Sequence, residues 1–155
     1  MTNLTQNDSL TITVQKEPIS GAVLPLAQAL TDHLNGNFEG ALRCLPSSDV
    51  EGGTLVNVMA ARAHLLLQAN RFEEAQDEFA RLISIEPSLE DAHFQSGYCL
   101  YKLGRFEDAL RAFAESSKLA PDRTETLVAM GNCLLNLNRP VESFSLFVEC
   151  LAKHR

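Results

Sequence analysis

The sequence predicts an all-α fold, a solenoid of stacked antiparallel helix hairpins, on three observations. A block of residues recurs every 34 positions without slipping phase. Large and small apolar residues hold fixed columns within that period. Gly, Asn and Pro fall at the same two places in successive units, where a chain has to turn.

The recurring block is clearest in Gly104-Arg105-Phe106-Glu107-Asp108-Ala109 and, 34 residues upstream, Asn70-Arg71-Phe72-Glu73-Glu74-Ala75. A further step back gives Gly36-Asn37-Phe38-Glu39-Gly40-Ala41, and a step forward gives Asn138-Arg139-Pro140-Val141-Glu142-Ser143. Leu66, Leu100 and Leu134 form a large column, as do Phe79, Phe113 and Phe147, preceded by Leu45. Ala63, Gly97 and Gly131 place a small residue in the middle of each first helix. Ala75, Ala109 and Ser143 place one early in each second helix. Small residues on facing sides let two backbones approach, and the Leu and Phe columns fill the space around them.

The elements follow in order. Residues 1–20 are rich in Thr, Asn, Gln and Ser, and Leu10-Thr11-Ile12-Thr13-Val14 alternates like a strand; they are expected to be a flexible leader, or an arm folded along the stack or onto a partner. The domain proper is expected at 21–155. Its first unit, about 22–55, is degenerate, because Pro46 shortens its second helix and 47–53 reads as a loop. Units at 56–89, 90–123 and 124–155 follow. Pro87 and Pro121 end hairpins, and Ser88 with Asp91, and Asp122 with Glu125, read as helix-start caps. Gly36 and Gly104 occupy tight turns that need a left-handed backbone. Pro140 suits the first turn of the last helix.

On these residues the chain closely resembles the tetratricopeptide-repeat family, whose unit is a 34-residue helix–turn–helix. The unit 90–123 carries Gly97, Leu100, Gly104, Phe106, Ala109, Phe113 and Pro121 of that pattern, with His93 where the family often has a large aromatic. The unit 56–89 matches with Ala63 in the Gly column. The unit 124–155 departs with Pro140 for Phe and Ser143 for Ala. The resemblance implies a right-handed solenoid with first helices lining a concave, peptide-binding face.

It also implies which positions face that groove: Asn57, Ala60, Ala61, His64, Leu67 and Gln68 in the second unit; Asp91, Phe94, Gln95, Tyr98, Tyr101 and Lys102 in the third; Glu125, Val128, Ala129, Asn132, Leu135 and Asn136 in the fourth. Phe94, Tyr98 and Tyr101 share a helical face at spacings of four and three. With Gly97 and Leu100 assigned to the core, these aromatics are expected to project into the groove as anchors, beside Lys102. The alternative is that Phe94 and Tyr101 pack against neighbouring hairpins. The basic clamp by which one subgroup grips acidic chaperone tails is missing, since Ala60, His64, Asp91, Gln95, Glu125 and Ala129 stand at its positions, and Asp91 and Glu125 repel a carboxylate. The Asn ladder of another subgroup is missing too, with only Asn57 and Asn132 as candidates.

Composition narrows the function classes. Net charge of −7 argues against nucleic acid or an anionic membrane as the main partner. No stretch reads as a secretory signal or membrane span, so a cytoplasmic setting is expected. Cys44, Cys99, Cys133 and Cys150 form no C-x-x-C pair and lack His at ligand spacing, which favours small core residues over a metal site. His33, His64, His93 and His154 lie in different columns, and a lone His is more often a packing or surface residue. No phosphate loop or nucleophile arrangement is present, so neither an enzyme nor a cofactor is expected. The acidic run Glu73, Glu74, Asp77 and Glu78 reads as a solvated convex face.

The last helix, from about Pro140, is apolar for a terminal one: it carries Phe144, Phe147, Val148, Cys150 and Leu151. In the family, the equivalents of Phe144 and Leu151 pack on a following hairpin. Here Phe144, Val148 and Leu151 are candidates for self-association as a homodimer; truncation of a longer protein, or cover by the leader, would also account for them. The functional expectation is a scaffold or adaptor that binds a protein or peptide in the groove through Phe94, Gln95, Tyr98, Tyr101, Lys102, His64, Leu67 and Asn132. The alternatives are a type III secretion-type chaperone for an exported client, or the targeting domain of a larger enzyme.

Overall fold

A computed structural model describes residues 23–45 and 53–153. The described residues form eight α-helices in four consecutive hairpins: α1 (Val23–Leu34) with α2 (Phe38–Cys44), α3 (Gly53–Gln68) with α4 (Phe72–Ile85), α5 (Glu90–Lys102) with α6 (Phe106–Leu119), and α7 (Thr124–Asn136) with α8 (Pro140–Lys153). Each helix packs on its sequence neighbours, and among the first helices α5 also packs on α7. This is a helical solenoid. No helix among the described residues is long and apolar enough to cross a membrane. Residues 1–22, 46–52, 154 and 155 lie outside the described residues, and with them the expected leader, His154 and the expected 47–53 loop except Gly53, which instead begins α3.

All four hairpins close through one turn. Its pivot is Gly36 (φ 73°), Asn70 (φ 58°), Gly104 (φ 74°) or Asn138 (φ 57°), each in the left-handed region. The residue after the pivot closes it by bonding five residues back: Asn37 N–H donates to Asp32 O at 2.8 Å, Arg71 to Leu66 at 2.9 Å, Arg105 to Leu100 at 2.9 Å and Arg139 to Leu134 at 2.8 Å. This six-to-one bond satisfies a carbonyl that a helix end leaves open. Asn substitutes for Gly because its short polar side chain tolerates the left-handed well.

Inside each hairpin the small columns do what their size allows. A Cβ on Gly97 would stand 2.8 Å from the Phe113 ring, and one on Gly131 would stand 2.6 Å from that of Phe147. Ala41, Ala63, Ala75, Ala109 and Ser143 are fully buried, with Phe79 and Phe113 beside them in the core. Where Ser143 replaces Ala, its hydroxyl donates to Gly131 O at 2.9 Å, so the buried polar group has a partner.

Three expectations from sequence are corrected. Ser88 and Asp122 do not cap α5 and α7: the cap positions are Leu89 and Arg123, without a side-chain bond, and Ser88 Oγ instead donates to Glu86 at 2.8 Å. The first-turn acids Glu90, Asp91 and Glu125 supply the favourable charge there. Glu78 is not part of a solvated face; it is buried and accepts from Arg62 Nε at 3.1 Å, because its turn of α4 faces α3. The third correction concerns Phe94 and belongs to the groove.

Candidate functional site

Among the described residues, two recesses lie between neighbouring first helices. One, of about 200 Å³, lies between α5 and α7 and is lined by Tyr98, Tyr101, Phe113, Glu125, Val128, Ala129 and Asn132. Tyr98 is 38% exposed, so part of its ring faces solvent over the recess. It is held edge-on by Phe72 from the preceding hairpin, with ring centroids 6.5 Å apart, and Lys102 Nζ sits 5.3 Å from its centre. Tyr101 forms the adjoining wall, its ring edge-on to Phe106 at 5.5 Å and its hydroxyl accepting from Asn136 Nδ2 at 3.3 Å. Exposed Val128 and Asn132 complete the opposite wall. Glu125 stands at the rim, with no cation in salt-bridge reach among the described residues.

The second recess, about 310 Å³ and more apolar, lies between α1 and α3 and is lined by Ala29, Leu30, His33, Leu45, Ala61, His64, Leu65 and Gln68. His64 Nδ1 lies 2.8 Å from Ala60 O and its Nε2 is 3.4 Å from Asp91, while its ring is edge-on to buried Phe79. The α1 side of this recess, with Leu30 59% exposed, was not read from sequence: the first unit departs from the repeat pattern, so its columns give no groove assignment.

Of the residues expected to bind, Tyr98, Tyr101 and Asn132 come together in the α5/α7 recess, and His64 lies in the other. Lys102 flanks Tyr98. Gln95 is half-buried and donates to Asp91 at 3.4 Å. Leu67 packs against the core cluster built from the first two hairpins and α5, and lines neither recess. Phe94 is the correction: its ring packs on Phe113 with centroids 5.4 Å apart, and the Arg123 guanidinium covers it at 4.0 Å. The reason is helical phase. Phe94 precedes Gly97 by three, so both face α6, and the missing Cβ at Gly97 leaves room for Phe113 between them.

Neither recess contains a reactive thiol. Burial pushes the Cys99 thiol up to about 12 and that of Cys133 up to about 11, so both stay protonated and behave as small apolar residues. Phe144, Val148 and Leu151 lie elsewhere, exposed along α8.

The comparisons with known proteins agree with this architecture. A protein named MamA superposes with a TM-score of 0.77 at 17% identity, covering 86% of this chain and 78% of that one. MamA 41-end from Desulfovibrio magneticus RS-1 superposes with a TM-score of 0.73 at 11% identity, covering 86% and 76%. YrrB, described as a TPR protein with an unusual peptide-binding site, gives a TM-score of 0.70 at 16% identity, covering 86% and 69%. These likenesses show a helical-repeat fold of the tetratricopeptide type. No curated protein matches the chain by sequence. A family model described as bacterial transcriptional activator domain matches residues 31–126, from the end of α1 into α7. The chain therefore belongs to the bacterial transcriptional activator domain family.

Proposed function

We propose that this chain is a protein-interaction module that holds a segment of another protein along its first helices, with one side chain in each recess. The observation that carries this reading is Tyr98: a large amphipathic ring, buttressed by Phe72 and Lys102 yet open to solvent over a recess. Rigid aromatics of this kind are the residues on which interface energy concentrates. Packed helices lie about 8–10 Å apart, so recesses two first-helix steps apart stand on the order of 20 Å from each other, the reach of about six extended residues. Glu125, at the rim of the α5/α7 recess, favours a basic residue beside the Tyr98 anchor.

The family description names transcriptional activation. Within that setting the net charge of −7 favours a protein rather than DNA as the partner of this domain. YrrB, which shares the fold, is described by its peptide-binding site, and this supports a peptide as the form of ligand.

The test is selection of binding peptides from a displayed random library, followed by affinity measurement with the Tyr98→Ala protein. The expected result is a loss of about tenfold or more with helicity unchanged. Unchanged affinity refutes the α5/α7 anchor, and collapse of helicity makes Tyr98 a core residue.

A further inference from the structure

The acids in the first turns of α5 and α7 differ in their partners. Glu90 accepts from Arg123 through both oxygens, at 2.9 and 2.7 Å. Asp91 has His64 Nε2 at 3.4 Å and Arg123 at 3.7 Å. Glu125, one 34-residue step beyond Asp91, is exposed and has no cation in salt-bridge reach among the described residues. The column opposite accounts for the difference. At the α3/α5 joint that column supplies His64, whose Nδ1 faces Ala60 O at 2.8 Å while Nε2 faces the acid. At the α5/α7 joint the same column holds Tyr98, which lines the recess together with Glu125. A phenol brings no positive charge, so this carboxylate shares its recess with the rings of Tyr98, Tyr101 and Phe113 instead of an imidazole.

The same joint already holds one guanidinium in surroundings of this kind. Phe94 packs on Phe113, and Arg123 lies over the Phe94 ring at 4.0 Å while it donates to Glu90. We propose that the α5/α7 recess binds an arginine side chain of the partner segment, its guanidinium stacked on the tyrosines and paired with Glu125. This rests on the reading that a segment lies along the first helices, and it adds the chemistry of the residue held at Tyr98.

Other occupants fit less well. An apolar side chain would strip water from the Glu125 carboxylate and put no donor in its place. An acidic one is repelled by it. A lysine satisfies the charge, but its ammonium is more strongly hydrated and lacks the flat face that stacks on a ring. In the opposite wall, the Asn132 amide has a carbonyl oxygen for a further guanidinium N–H. At about 200 Å³ the recess is of side-chain size. Lys102, with Nζ 5.3 Å from the centre of the Tyr98 ring, lies outside the recess lining and is exposed, so solvent and salt screen it from the bound cation. The net charge of −7 draws basic segments toward the chain.

The probe is N-acetyl-arginine amide, titrated into the isotopically labelled full chain and followed by amide shifts. Its uncharged isostere N-acetyl-citrulline amide, N-acetyl-lysine amide and the Glu125→Gln protein are measured alongside. The expected result is saturable shifts at Tyr98, Val128 and the Asn132 side-chain amide, with citrulline weaker by about three- to thirtyfold and lysine between the two. The Glu125→Gln protein keeps its helicity, since the side chain is exposed, and binds arginine and citrulline alike. The absence of a saturable shift with the arginine probe, citrulline binding as tightly as arginine, or a preference for arginine that survives Glu125→Gln would each overturn the proposal. A selected peptide that depends on Tyr98 yet carries no arginine removes the arginine site and leaves the interaction module standing. Arginine-probe shifts at these residues without any Tyr98-dependent peptide uphold the arginine site and remove the peptide reading.

Discussion

At Gly97 the backbone of α5 rests against the Phe113 ring, and an added methyl would meet it at 2.8 Å. Gly97→Ala is expected to lower stability by about 1–3 kcal/mol through overpacking, although Ala is the better helix former. A urea midpoint measures it. Gly104→Ala meets open space but keeps a φ of 74°, so its cost is that of the left-handed backbone, about 1 kcal/mol. The two glycines thus fail for different reasons. The buried thiols add a pH dependence. Their folded values lie above the ordinary 9.0, so the unfolded chain loses these protons first. Stability is then complete below about pH 9 and falls as pH rises toward 11–12. Urea midpoints at about pH 8 and pH 10.5 show the decline, and a Cys99→Ala/Cys133→Ala protein flattens it. The glycine column was legible in the sequence because a fixed period exposes it. Phe94 was not, because its phase relative to Gly97 matters more than its spacing from the two tyrosines.

Among the elements, the joint between the third and fourth hairpins is unlike the one before it. Leu82 and Ala92, both buried, meet at the earlier joint; Ser116 and Thr126 stand in the same columns at the later one, also buried. Ser116 Oγ donates to Glu90 at 2.5 Å, and Arg123 grips both Glu90 oxygens at 2.9 and 2.7 Å while covering Phe94. Arg123→Ala removes the guanidinium and leaves Glu90 and Phe94 uncovered. With side chains 28% and 21% exposed, water screens part of the loss, and the expected cost is about 1–2 kcal/mol. A double-mutant cycle with Glu90→Gln isolates the pair term. This polar joint escaped the sequence reading because the repeat pattern marks where residues agree, and the joint is made where they differ. By contrast, Arg71, Arg105 and Arg139 each clamp the acid three residues on, Glu74, Asp108 and Glu142, holding those carboxyls below their ordinary range. These staples repeat with the period and are exposed, so their contribution to stability is small.

For the whole molecule, the hairpin order, turn positions and core columns could be read from a 34-residue period alone, because the described hairpins pack chiefly on their neighbours and local pattern suffices. The recesses are a property of how neighbouring first helices diverge, which no single period encodes. Tyr98, Tyr101 and Asn132 were reached through the family's groove columns; Leu30 and His33 were not, since the first unit carries too little of the pattern to align them. The central claim is that ligands engage the first helices. It is tested most directly by titrating a selected peptide into the isotopically labelled protein and following backbone amide shifts. The account predicts that the largest changes fall around Tyr98, Tyr101, Val128 and Asn132, with a second set at Leu30, His33 and His64. Changes confined to the second helices α4 and α6, with the first helices silent, would contradict it.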